Sequence, residues 1–166
     1  KREMLDEAEN EINTALSIDR SIPLINAHFN LALLHEARGD FDLAVVEYKT
    51  EQETSPFNHM PDFNLGLLYA KAKELEKAIK EFKNCIEKNE EFADAYVFLA
   101  KASMDNAVDL NEAEKLAQKG LELKPELRTK ILAHFILADI YNRLGKYQES
   151  QQHVNKAREL QKTLFQ

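Results

Sequence analysis

Apolar residues recur along this chain in stripes at helical spacing with charged residues between them; Leu5, Ala8, Ile12, Ala15 and Leu16 are one such stripe. No segment calls for a strand. The spacing predicts nine helices, near residues 4–19, 24–37, 41–54, 60–72, 75–88, 92–106, 110–123, 126–143 and 147–164. Gly39 and Gly145 follow apolar-periodic runs and suit the left-handed residue that ends a helix, while Asp40 and Asp109 are expected as N-caps. Asp109 with Glu112 has the spacing of a capping box, and Pro61 and Pro125 fall near helix starts, where a missing amide hydrogen costs least. The pattern also repeats. Leu31, Leu65 and Leu99 are 34 residues apart, and each is followed by a small residue, Ala32, Gly66 or Ala100. A period of this length marks hairpin units that cannot bury their apolar faces alone and stack into a solenoid. Function is then to be sought on a surface.

The clearest unit runs DFNLGLLYAKAKELEKAIKEF from Asp62 to Phe82, with Leu65, Gly66, Tyr69, Ala78 and Phe82 in order. It resembles the tetratricopeptide repeat, whose pattern is a large aromatic, L-G-x-x-Y, A-x-x-x-F and a final Pro. Asp62 replaces the leading aromatic and Glu90 the Pro. One unit earlier the frame gives His28, Leu31, Ala32, His35, Ala44, Tyr48 and Pro56; one unit later it gives Tyr96, Leu99, Ala100, Ser103, Ala113, Ala117 and Pro125. A fourth copy gives His134, Leu137, Ala138, Tyr141, Gly145, Ser150, Val154 and Ala157, with extra residues near Pro125 to Lys130. Small residues at the repeated places let two helices cross closely while larger apolar groups fill the groove beside them. The resemblance implies an all-α fold, a right-handed superhelical solenoid of antiparallel helix pairs. Residues 1–24 are expected to be the second helix of a truncated repeat acting as an N-terminal cap, followed by repeats at 25–58, 59–92, 93–130 and 131–166. The chain reads as a fragment of a larger protein.

Charge narrows the classes of partner. A net charge of -7 opposes adhesion to nucleic acid or to an anionic membrane, and neither is an expected partner. Cys85 is the single cysteine, so no intrachain disulfide can form; at a small-residue place it is expected to be a buried structural thiol. No membrane span is expected, and cytoplasm and periplasm both stay open as compartments.

In tetratricopeptide arrays the first helices line a concave groove. The resemblance carries its ligand-facing places onto Asn26, Phe29, Asn30 and Leu33, then Met60, Phe63, Asn64, Leu67 and Lys71 in the next repeat. It continues with Val97, Phe98, Lys101 and Met104, and ends with Phe135, Asp139 and Arg143. Each repeat contributes a phenylalanine. Either Phe29, Phe63, Phe98 and Phe135 form an exposed aromatic stripe, which would mark a binding surface, or the superhelix packs the rings against neighbouring first helices. Asn30 and Asn64 share one place in adjacent repeats, where family members use an amide to hold a peptide backbone; an amide both donates and accepts. The clamp that some members use for the C-terminal carboxylate of chaperone tails is not expected: Phe29, Leu33, Asp94 and Phe98 hold its places, only Asn64 matches, and Asp94 repels a carboxylate. Groove charges are Lys71, Lys101 and Arg143 against Glu36, Asp94, Asp105 and Asp139, which gives no basic character for nucleic acid.

Catalysis finds no support, for there is no Gly-rich phosphate loop, no H-E-x-x-H and no Gly-flanked serine. No enzyme activity, cofactor or metal is expected. His28 and His35 stand at aromatic places and read as packing groups, His59 and His153 as solvated, and the carboxylates of the second helices as a solubilising face. At the two ends Leu5, Ile12 and Leu16, and Leu160 and Leu164, form apolar stripes that invite self-association, for instance as a homodimer. Two functions are expected: a scaffold that binds a peptide or helix segment of a partner protein in the groove, or an architectural appendage, of an enzyme for instance, that associates through its end helices.

Overall fold

The computed structural model describes residues 2–18, 26–106 and 109–164, and these contain nine helices and no strand. They are α1 (Arg2–Ile18), α2 (Ala27–Arg38), α3 (Phe41–Thr54), α4 (Met60–Lys71), α5 (Leu75–Lys88), α6 (Ala93–Asp105), α7 (Leu110–Glu122), α8 (Leu127–Arg143) and α9 (Tyr147–Thr163). Their bounds agree with the expected ones within a few residues; the expected ends at 19 and 24 lie outside the described residues. The extra residues after Pro125 lengthen α8 to 17 residues, against 12 in α2 and α4.

Each helix packs on the next to give an all-α solenoid of antiparallel pairs. Three of the hairpins turn in the same way. Gly39, Lys73 and Gly145 take left-handed backbone angles (φ +89°, +63° and +74°). The next amide then reaches back to the last turn, as from Asp40 N to His35 O (2.9 Å), Glu74 N to Tyr69 O (2.9 Å) and Lys146 N to Tyr141 O (2.8 Å). Of the two expected caps, Asp109 accepts from the amide of Asn111 (2.9 Å) in place of the capping-box amide of Glu112. Asp40 stands at the N-cap of α3 but makes no side-chain cap bond.

The repeated small residues mark the helix crossings. Gly66 faces the fully buried ring of Phe82, and a methyl group there would lie 2.5 Å from that ring. Ala44 and Tyr48 pack under Ala32, and Ala113 and Ala117 under Ala100, all without exposure. In the fourth pair Ser150 donates its hydroxyl to Ala138 O (2.8 Å), so the polar atom at a small-residue place is satisfied. Burying a ring such as Phe82 contributes roughly 1.5–3 kcal/mol. Cys85 is buried, as its place predicts, and burial pushes its thiol up to about 12.

Two expectations about polar groups are corrected. The second-helix carboxylates are not all a solubilising face, because Glu51 and Glu81 are buried, as is Asp62 on the first helix α4. Glu51 reaches from α3 to the start of α2, where it accepts from Asn26 N (3.0 Å) and Phe29 N (3.2 Å) and from Ser55 Oγ (2.7 Å). Asp62 pairs with Lys88 Nζ (2.6 Å), and the Gln52 amide donates to both Asp62 (2.9 Å) and Glu81 (3.0 Å). The histidines also differ. His59 stacks edge-on against Phe92 (4.8 Å), and His153 lies 3.0 Å from His134, nitrogen to nitrogen, with Tyr141 beside it, so neither is a solvated side chain. A helix that is polar by composition still turns one face to its neighbour, and groups on that face must find partners.

Candidate functional site

The first helices α4, α6 and α8 touch in series, and the expected groove places lie on them and on α2. On α2, Asn30 is exposed and Leu33 is 43% exposed, while Phe29 is half-buried against Tyr48 (5.6 Å between centroids). Asn26 precedes the helix with φ +66°, and its side-chain oxygen accepts from Asn58 Nδ2 (3.1 Å). On α4, Met60, Asn64 and Leu67 are half-buried and Lys71 is exposed, its ammonium 4.2 Å above the ring of Phe41. On α6, Phe98 is half-buried and Lys101 is exposed and bonded to Asp105 (2.9 Å). On α8, Phe135 is half-buried, Asp139 pairs with Arg143 (2.9 Å), and Arg143 also reaches Met104 O (3.3 Å).

Three expected groove residues lie in the core instead: Phe63 (7% exposed), Val97 (0%) and Met104 (4%). Of the four phenylalanines Phe63 takes the packed alternative, while Phe29, Phe98 and Phe135 are half-buried. Phe63 meets Phe92 (5.0 Å) and Phe98 (5.5 Å) edge to face and tilts against Phe82 (5.9 Å). The reason is that α6 packs close enough to α4 for the ring of Phe63 to seat against Phe92 and Phe98 of the next hairpin. Val97 sinks because Gly120 of α7 leaves room for it: a methyl group on Gly120 would lie 2.6 Å from Val97 Cγ2. What remains accessible is a strip of amide and aliphatic groups on α2 and α4, then a set of charge pairs on α6 and α8. Leu5, Ile12, Leu16 and Leu160, expected at the ends, are half-buried, and Leu164 is 41% exposed.

A small cavity opens between α4 and α6 beside the α4–α5 turn, lined largely by expected groove places, among them Leu67, Lys71, Phe98 and Lys101. Lys73 and Leu75 complete it from that turn, and a signal for Lys73 was present: it stands 34 residues after Gly39, at the turn of the hairpin. Among the described residues no group of three or more His, Cys, Asp or Glu is placed to hold a metal, and no helix is long and apolar enough to cross a membrane.

Comparison with known proteins agrees with this architecture. The family model described as tetratricopeptide repeat matches residues 63–91 and 132–163. Among solved structures, MamA from Desulfovibrio magneticus RS-1 superposes with a TM-score of 0.79 at 21% identity, covering 96% of this chain and 86% of that one. BtubC from P. vanneervenii gives 0.82 at 17% identity over 96% and 74% of the two chains. PilF of Pseudomonas aeruginosa gives 0.78 at 21% identity over 95% and 69%. No curated protein matches the sequence. Residues 63–91 and 132–163 thus carry tetratricopeptide repeats, within a helical solenoid fold that these structures share across nearly the whole length of the chain.

Proposed function

We propose that the chain is a protein-interaction scaffold whose concave face holds a peptide or helix segment of a partner protein. The observation that carries this reading is the strip on α2 and α4, where Asn30 and Leu33, then Asn64 and Leu67, recur at the same places and stay accessible after Phe63 has packed. Amides that donate and accept, beside aliphatic groups, suit an extended backbone with alternate apolar side chains. Phe63 supports this surface from beneath, so its truncation would test folding, not binding. The discriminating variants are Asn30→Ala with Asn64→Ala, and Leu33→Glu, which touch accessible groups. Random dodecapeptides displayed on phage, panned against the chain and then measured by fluorescence anisotropy, should bind saturably and lose affinity in both variants. Binding unchanged by either variant would remove the groove from consideration.

A second reading, association through the end helices, is favoured by the incomplete burial of Leu5, Ile12 and Leu16 on α1 and by the exposure of Leu164. Light scattering over a wide concentration range tests it. A dimer that dissociates in Ile12→Glu supports it, and a monomer at every concentration excludes it.

A further inference from the structure

The cavity between α4 and α6 measures about 230 Å³. That is below the roughly 300–1,000 Å³ of small-molecule sites and fits one or two side chains. Leu67, Leu75 and Phe98 make it apolar, and Phe98 is held in place by its edge contact with Phe63 (5.5 Å). Its rim carries Lys71, Lys73 and Lys101 against a single carboxylate, Asp105. Lys101 occupies that carboxylate at 2.9 Å, and among the described residues no carboxylate pairs with Lys71 or Lys73. Two cations beside an apolar hollow stand out in a chain whose net charge is -7. Such a surface is complementary to an apolar side chain with carboxylates next to it in sequence.

We infer that this cavity anchors an acidic–apolar segment of a partner protein, a bulky aliphatic or aromatic side chain seated on Leu67, Leu75 and Phe98 with flanking carboxylates on Lys71 and Lys73. The inference rests on the concave face being a peptide groove. Lysines reach a carboxylate as flexible point charges, so the contact selects charge and not one rigid geometry. The rim cations are exposed, so the contact weakens with salt.

The phage-displayed dodecapeptides provide the test, because their sequences are read after selection. The pool bound by the chain should be enriched in Asp or Glu beside a Leu, Ile, Phe or Met. A labelled peptide from that pool should bind at least about tenfold more weakly to the Lys71→Glu, Lys73→Glu double variant and lose affinity as salt is raised. The same peptide with its acids replaced by lysine should bind the double variant better than it binds the native chain. Both lysines are exposed, and circular dichroism verifies that the variant keeps its helices. A bound pool without acidic enrichment, weakened by Leu33→Glu but not by the lysine reversals, overturns this inference and leaves the groove standing. Failure to enrich any peptide overturns both.

Discussion

Lys73 holds a left-handed backbone position that Gly39 and Gly145 hold in other hairpins, and a side chain with a Cβ is strained there. Lys73→Gly is therefore expected to stabilise the chain by about 0.5–1 kcal/mol, read as a rise in the urea midpoint, the strain relieved being partly offset by the greater freedom of glycine in the unfolded chain. The same change removes one rim cation of the α4–α6 cavity, so stability and acidic-peptide affinity should move in opposite directions. Gly66 behaves in the reverse sense. Its backbone is ordinary helix, but a methyl group would lie 2.5 Å from the ring of Phe82, which is wholly buried and cannot swing away. Gly66→Ala is expected to cost about 1–3 kcal/mol by the same measurement.

Helices here are completed by their neighbours as well as by their own caps. The start of α2 has no side-chain cap of its own, and Glu51 of α3 serves it instead by accepting from Asn26 N and Phe29 N. A buried carboxylate at a helix N-terminus also meets the positive end of the helix dipole. Glu51→Ala removes the partner of both amides, of which Asn26 is exposed and Phe29 half-buried, and is expected to destabilise by about 1–2 kcal/mol in all. Hydrogen exchange should show the loss first in the opening turn of α2 and least in α8 and α9, because a repeat array transmits a local fault only through neighbouring interfaces.

Across the whole molecule the response to acid is concentrated at one end. The α8–α9 hairpin contains the His134–His153 contact, with Tyr141 bonded to Glu114 of α7 (2.8 Å) beside it. Burial, then the neighbouring His153, then Lys130 and Lys156 hold the His134 imidazole down at about 4; burial also lowers His153, opposed by Glu114. Between pH 6.5 and 4 the unfolded chain takes up a proton that the folded His134 refuses. Stability present above pH 6.5 is thus lost as pH falls through that window, by on the order of 1–2 kcal/mol after solvent screening. Urea denaturation at pH 7 and pH 4.5 should show a smaller acid loss in His134→Phe than in the native chain. Hydrogen exchange should assign the difference to α8 and α9, far from the strip on α2 and α4.

Period and pattern by themselves determined the nine helices, the pairing into hairpins and the small residues at the crossings. These follow from contacts between residues close in sequence, repeated at a fixed interval. A repeat also carries its register from unit to unit, so equivalent places on α2, α4, α6 and α8 were legible. Exposure was not. Whether Phe63 lines a groove or sits in the core depends on how tightly α6 closes on α4, and the sinking of Val97 depends on the missing side chain of Gly120. The fate of the carboxylates was hidden for a similar reason: Glu51, Asp62 and Glu81 occur among many charged residues, and only the contacts between packed helices, within a hairpin and between hairpins, separate the three buried from those in water. The α4–α6 cavity combines both cases, since Lys73 reaches it from a turn and Phe98 from the next repeat. Local periodicity specifies which elements form. Burial and charge pairing are properties of surfaces brought together from distant segments, and these only the tertiary structure decided.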